Sequence, residues 1–113
     1  MKSSKPYLYH ILEECNFIIN NSKNLSFEKF IDNHILKRAF VRSLEVIGEA
    51  VKNIDSDFKK KCPLIPWKEI AGMRNIIIHE YFGIDYKIVW KTIKIEIPKL
   101  KKDIIEIIKK EKF

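Results

Sequence analysis

From residue 5 onward the apolar side chains fall at one spacing. Tyr7, Leu8, Ile11, Leu12, Cys15, Ile18 and Ile19 repeat at i, i+3, i+4, the rhythm that puts every one of them on a single face of an α-helix. A second stretch, from about residue 26 to 54, repeats the pattern, and three glycines and four prolines in the whole chain leave little material for hairpin turns. These features predict an all-α chain: an up-and-down bundle of four main helices that forms a single domain over residues 1–113. A chain of 113 residues is long enough to bury roughly two-thirds of its unfolded surface.

The boundaries follow from local chemistry. Residues 20–24 read as a loop. Ser26 is placed to cap a helix that breaks near Asp32 and Asn33. Pro63 and Pro66 push the residues before them out of the α region and make the segment around Cys62 a connector. A third helix is expected from about Trp67 to Phe82, loosened at Gly72 and closed by Gly83. Asp85 would cap a long final helix to about Lys110, kinked at Pro98 where a backbone donor is lost. No apolar run approaches the ~20 residues of a membrane span and the N-terminus lacks a signal-peptide pattern, so a cytoplasmic location is expected. Cys15 and Cys62 lack metal-ligand spacing; both are expected as buried free thiols, with no disulfide, metal or cofactor.

Charge narrows the function. Hydrophobic residues are 46% and charged residues 33%, while 22 basic against 15 acidic residues give a net charge of +7. That balance favours an anionic partner, nucleic acid above all; a generally lysine-rich composition would produce it too. Nineteen of the 22 are lysines, which leaves Arg38, Arg42 and Arg74 as the positions offering a bidentate fork.

On an ideal helix Arg38, Arg42, Glu45 and Glu49 fall within ~30° of one direction, opposite Phe40, Val41, Leu44, Ile47 and Val51. Gly48 lies among the latter, where it would let another helix approach. Two readings of the charged stripe stand: a solvated row of i, i+3 and i, i+4 ion pairs, or the border of a site in which glutamates hold arginines toward phosphate.

The densest chemistry lies in Arg74-Asn75-Ile76-Ile77-Ile78-His79-Glu80-Tyr81. Arginine grips phosphate and histidine suits proton transfer near neutrality, a pair sufficient for metal-free cleavage of RNA. Asn75 and His79 would share a helix face. Arg74 lies ~140° and Tyr81 ~160° from His79 on a regular helix, so the three converge poorly. Either the backbone leaves α geometry or a second copy of the chain completes the site. His10 and His34, like most lone histidines, are expected as hydrogen-bonded core residues.

RNIIIHEY fits the R-x-x-x-x-H-x-Y motif of the HEPN superfamily. With RAFVRSLEVIGEA at 38–50, PWKEIAGMRNIIIHEYFGID at 66–85, Val89-Trp90 and Ile97-Pro98, the chain resembles the HepT-type toxins of MNT–HEPN toxin–antitoxin systems over nearly its full length. The resemblance implies an all-α homodimer with the motif at the dimer groove. It also implies metal-independent endoribonuclease activity through Arg74 and His79, with Asn75, Arg38, Arg42 and Glu45 in support. A partner nucleotidyltransferase antitoxin would transfer AMP onto Tyr81. The rival expectations are a catalytically silent HEPN scaffold that binds a nucleotide or partner, and a basic helical module that only binds nucleic acid.

Overall fold

The computed structural model describes residues 3–73, 75, 78–79 and 83–113, with the backbone alone for Ile78 and His79. The elements are α1 (Lys5–Ser22), α2 (Phe27–Asp32), α3 (His34–Asn53), α4 (Ser56–Lys61), α5 (Trp67–Ala71), the two-residue strands β1 (Ile78–His79) and β2 (Gly83–Ile84), α6 (Tyr86–Lys91), a π-helical turn (Thr92–Glu96) and α7 (Ile97–Lys110). The fold is all-α. Its body is α1 packed between α3 and α7, and the interior is made by the periodic positions: Leu8, Ile11, Cys15 and Ile18 of α1, Phe40, Leu44, Ile47 and Val51 of α3, Ile97, Leu100 and Ile104 of α7, all buried.

Caps set the helix ends. The Ser26 hydroxyl accepts from the Lys29 N–H (3.2 Å) and starts α2. Asn33 ends α2 and starts α3, its Oδ1 accepting from the Leu36 N–H at 2.9 Å; an asparagine can serve both ends because its short amide replaces the missing intrahelical partner. Asp85 accepts from the N–H groups of Lys87 and Ile88 (3.1 and 3.3 Å) and starts α6.

Several expectations need correction. Helix α1 runs on to Ser22, so the loop begins later than residue 20. The short α4 fills part of the stretch before the connector. The third helix does not extend to Phe82: α5 ends at Ala71, Met73 and Asn75 are still helical, and Ile78 and His79 are extended. Gly72 is a weak helix former, and a β-branched isoleucine run gains little from helix and fits a strand well. Gly83 does take a left-handed conformation (φ +77°), but as the strand partner of His79 rather than as a helix cap. The irregularity linked to Pro98 lies upstream of it. Proline cannot donate to the carbonyl four residues back, and the preceding turn widens so that the Ile97 N–H donates to the Thr92 carbonyl, an i→i+5 bond.

Candidate active site

The motif segment follows α5, and α5 is seated on α3 at one small residue. A Cβ built on Gly48 would lie 3.4 Å from the Ala71 carbonyl oxygen and 3.5 Å from that of Ile70. Only glycine lets the last turn of α5 lie this close to α3 without displacement. The start of α5 is fixed by Trp67, a buried ring whose Nε1–H donates to the Cys62 carbonyl at 3.0 Å. Both proline-flanked connector and glycine contact therefore set where residue 72 leaves the bundle.

At its other end the segment returns through an antiparallel pair, Ile78 opposite Ile84 and His79 opposite Gly83, and two residues later Asp85 caps α6. His79 is thus presented from extended backbone. The face-sharing expected for Asn75 and His79 on one helix does not hold, since Asn75 is helical and His79 is not; Asn75 is exposed. The departure from α geometry is the first of the two alternatives the poor helical convergence left open. Arg74 and Tyr81 lie outside the described residues, as does the side chain of His79.

The α3 stripe is where the periodicity put it. Arg38 and Arg42 are exposed and the apolar partners opposite are buried. Arg42 Nη1 lies 3.9 Å from Glu45 Oε2, with the arginine side chain 74% and the glutamate 27% exposed; at that distance and exposure the pair adds well under ~1 kcal/mol. Arg38 donates to the His34 carbonyl (3.4 Å), which leaves most of its fork to solvent. Glu45 lies one turn before Gly48, on the part of α3 that meets α5, and is half-buried. His10 and His34 are exposed, not core residues.

Cys15 is buried, and desolvation pushes its thiol up to about 12, with Lys101 lowering and Glu14 raising it further. Cys62 is half-buried rather than buried, and burial, then Glu111, raises its thiol as well. Neither sulfur is a thiolate near neutrality, so neither is a nucleophile here. Among the described residues no group of three or more His, Cys, Asp or Glu side chains is placed to hold a metal ion, and no helix is long and apolar enough to cross a membrane. A cavity of about 190 Å³ opens between α5 and α7, floored by Ile70, Met73, Ile97 and Leu100; its apolar floor suits no phosphate.

The family model described as "Ribonuclease HepT-like" matches residues 11–107, a span holding both signature blocks and the whole motif. The chain belongs to the HepT-like family. A protein of Caldanaerobacter subterraneus subsp. tengcongensis named "Putative RNase" is 58% identical over 112 residues, covering 99% of this chain and all of the relative. One of that same name from Methanocaldococcus jannaschii is 56% identical over 105 residues, 93% of this chain and 87% of the relative. "Probable ribonuclease HepT" of Thermococcus cleftensis is 46% identical over 100 residues, 88% and 91% of the two chains. No solved structure matches. Within this HepT-like chain the motif reading passes over one feature, the alternation Tyr86-Lys87, Trp90-Lys91 and Lys94 on α6 and the π turn. Its signal is the pairing of aromatic and basic residues at helical spacing.

Proposed function

We propose that this HepT-like protein is a metal-independent endoribonuclease and the toxin of a toxin–antitoxin pair. The observation that carries the reading is the family match across the segment bearing Arg74, His79 and Tyr81 together. The structure adds support: the segment leaves the bundle at a glycine contact and re-enters at a capped helix, and the protein carries a net charge of +7, which draws RNA toward it.

In the mechanism, His79 removes the proton from an RNA 2′-hydroxyl. The 2′-oxygen bonds to the adjacent phosphorus and the bond to the 5′-oxygen breaks, which leaves a 2′,3′-cyclic phosphate. Arg74 holds the non-bridging oxygens as their charge grows. A homodimer supplies the second His79, which protonates the departing 5′-oxygen. Asn75 orients the phosphate or the imidazole, and Arg38 and Arg42, held by Glu45, line the approach. Tyr81 is the control point. A partner nucleotidyltransferase joins its phenol oxygen to the α-phosphorus of ATP, pyrophosphate leaves, and the new phosphodiester's negative charge repels RNA.

The test is cleavage of a defined RNA in EDTA, with the product ends identified. The reading expects cleavage to persist, to leave 2′,3′-cyclic phosphates, and to stop after incubation with the nucleotidyltransferase and ATP in wild type but not in Tyr81→Phe. A requirement for divalent metal, or AMP mapped to Tyr7, Tyr9 or Tyr86, contradicts it.

A further inference from the structure

Beside the motif, α6 and the π turn carry Tyr86, Lys87, Trp90, Lys91 and Lys94 within nine residues. The three lysines are exposed, and the rings of Tyr86 and Trp90, one helical turn apart, are half-exposed. The rings are held from behind. Phe30, fully buried, lies 6.2 Å from the Tyr86 ring and 5.1 Å from that of Trp90, and Phe27 lies 6.1 Å from Trp90. In front, each ring carries an ammonium: Lys37 Nζ is 4.5 Å from the Tyr86 centroid and Lys94 Nζ 5.2 Å from that of Trp90. Lys94 also donates to the Ser22 carbonyl at 3.0 Å. Four cations thus border two fixed aromatic faces. The acidic groups nearby are Asp85, whose carboxylate accepts the N–H groups that start α6, Glu28 next to Phe27, and Glu96 at the end of the π turn.

We propose that this edge binds a single-stranded segment of the RNA that enters the active site, an inference that rests on the ribonuclease reading above. Aromatic faces bordered by cations suit single strands because every base has a stacking face and every nucleotide a phosphate. The lysines seated on the rings do not block this. A cation–π contact at an exposed site is worth ~0.5–1 kcal/mol, whereas a base stacked on an aromatic ring is worth ~1–3 kcal/mol. The base therefore takes the ring face and the displaced ammonium takes the phosphate. Tyr86 and Trp90 are separated by ~6 Å of helix rise, so successive bases of an extended strand each meet one ring. The position is right for substrate: Gly83, the strand partner of His79, is three residues before Tyr86, at most ~10 Å of chain.

The other lysine-rich surface offers a contrast. Lys59, Lys60 and Lys61 of α4 meet Lys109, Lys110 and Lys112 at the end of the chain, ~36 Å of helix rise from Tyr86. There Phe58 is buried and stacked on Phe113 at 6.2 Å, and Lys61 is paired with Glu111 at 3.0 Å. That end has charge without a free ring.

The experiment measures binding of a fluorescein-labelled 12-nucleotide single-stranded RNA by anisotropy, in the His79→Ala protein so that nothing is cut. Tyr86→Ala/Trp90→Ala should raise Kd about tenfold or more, and Tyr86→Phe/Trp90→Phe should bind as the parent does, since the rings remain. Lys87→Gln/Lys91→Gln should lower the salt dependence of log Kd by about 0.7 for each phosphate no longer neutralised. Lys109→Gln/Lys110→Gln should stay within about twofold of the parent. Edge variants that bind RNA like the parent, or a distal variant that weakens binding as much as they do, overturn the proposal. So does loss of self-association in the alanine pair by sedimentation, which would make the edge an interface between copies. If wild type cuts RNA while the edge variants bind and cut like it, this proposal alone fails. If wild type neither cuts nor binds RNA, the ribonuclease reading fails with it.

Discussion

The body of the molecule and the span from residue 72 to 85 are built from similar residues and behave in opposite ways. In α1, α3 and α7 isoleucines are spaced by three and four, so each turn buries one and helix and core reinforce each other. In the motif three isoleucines stand in a row between Asn75 and His79. No helix can bury all of them on one face, and the backbone passes from helical at Asn75 to extended at Ile78. Spacing, not hydrophobicity, decides the outcome. The bundle is held by packing along its whole length; the motif span is held mainly at its ends, by the Gly48 contact and by the β1–β2 pair with the Asp85 cap.

The contrast is best broken from the core side first. Phe30→Ala or Phe40→Ala removes a fully buried ring from a stacked pair 5.9 Å apart and should cost about 3–5 kcal/mol, read as a lower chemical-denaturation midpoint. RNA cleavage should follow the folded fraction and nothing else. Gly48→Leu sharpens the comparison, because its side chain has to displace the backbone carbonyls of Ile70 and Ala71. We expect a loss of about 1–3 kcal/mol, with cleavage per folded molecule also reduced, since α5 and the residue that leaves it move together. A stability loss with fully retained cleavage would show that the seat of α5 does not position the site. Asn33→Ala, which removes the cap shared by α2 and α3, should cost about 1 kcal/mol without touching cleavage. Arg42→Ala should change stability by less than about 0.5 kcal/mol, given the exposed 3.9 Å pair with Glu45; a clear fall in RNA affinity from the same variant would favour the site-bordering reading of the stripe over the solvated one.

The thiols give a further check. Cys15, buried and pushed up to about 12, should resist alkylation at pH 8, with Cys62 labelled first because it is only half-buried. Equal labelling of both in the native protein would contradict the packing of α1 against α7.

What was legible in the sequence was whatever depends on neighbours three and four residues away or on a single cap. The core faces of α1 and α3, the break at Asn33, the caps at Ser26 and Asp85 and the close approach at Gly48 are all of this kind. The strand at Ile78 and His79 was not, because helix and strand compete closely over a short apolar run and the pairing with Gly83 and Ile84 decides it. The widened turn before Pro98 was half legible: proline marks the lost bond, but which carbonyls rearrange depends on how α7 packs against α1. His10 and His34 were misjudged because an exposed histidine leaves no trace in periodicity. The motif residues themselves were recognised by their types and order, which fixes the chemistry available and not the positions of the side chains.

The central claim is that the motif span carries the chemistry and the bundle only holds it in place. It is tested most directly by measuring RNA cleavage and thermal unfolding together for His79→Ala. The account predicts that cleavage falls by at least about a hundredfold, the scale of a lost general base, while Tm stays within a few degrees of wild type. Cleavage that survives the substitution, or that disappears only in step with unfolding, would contradict it.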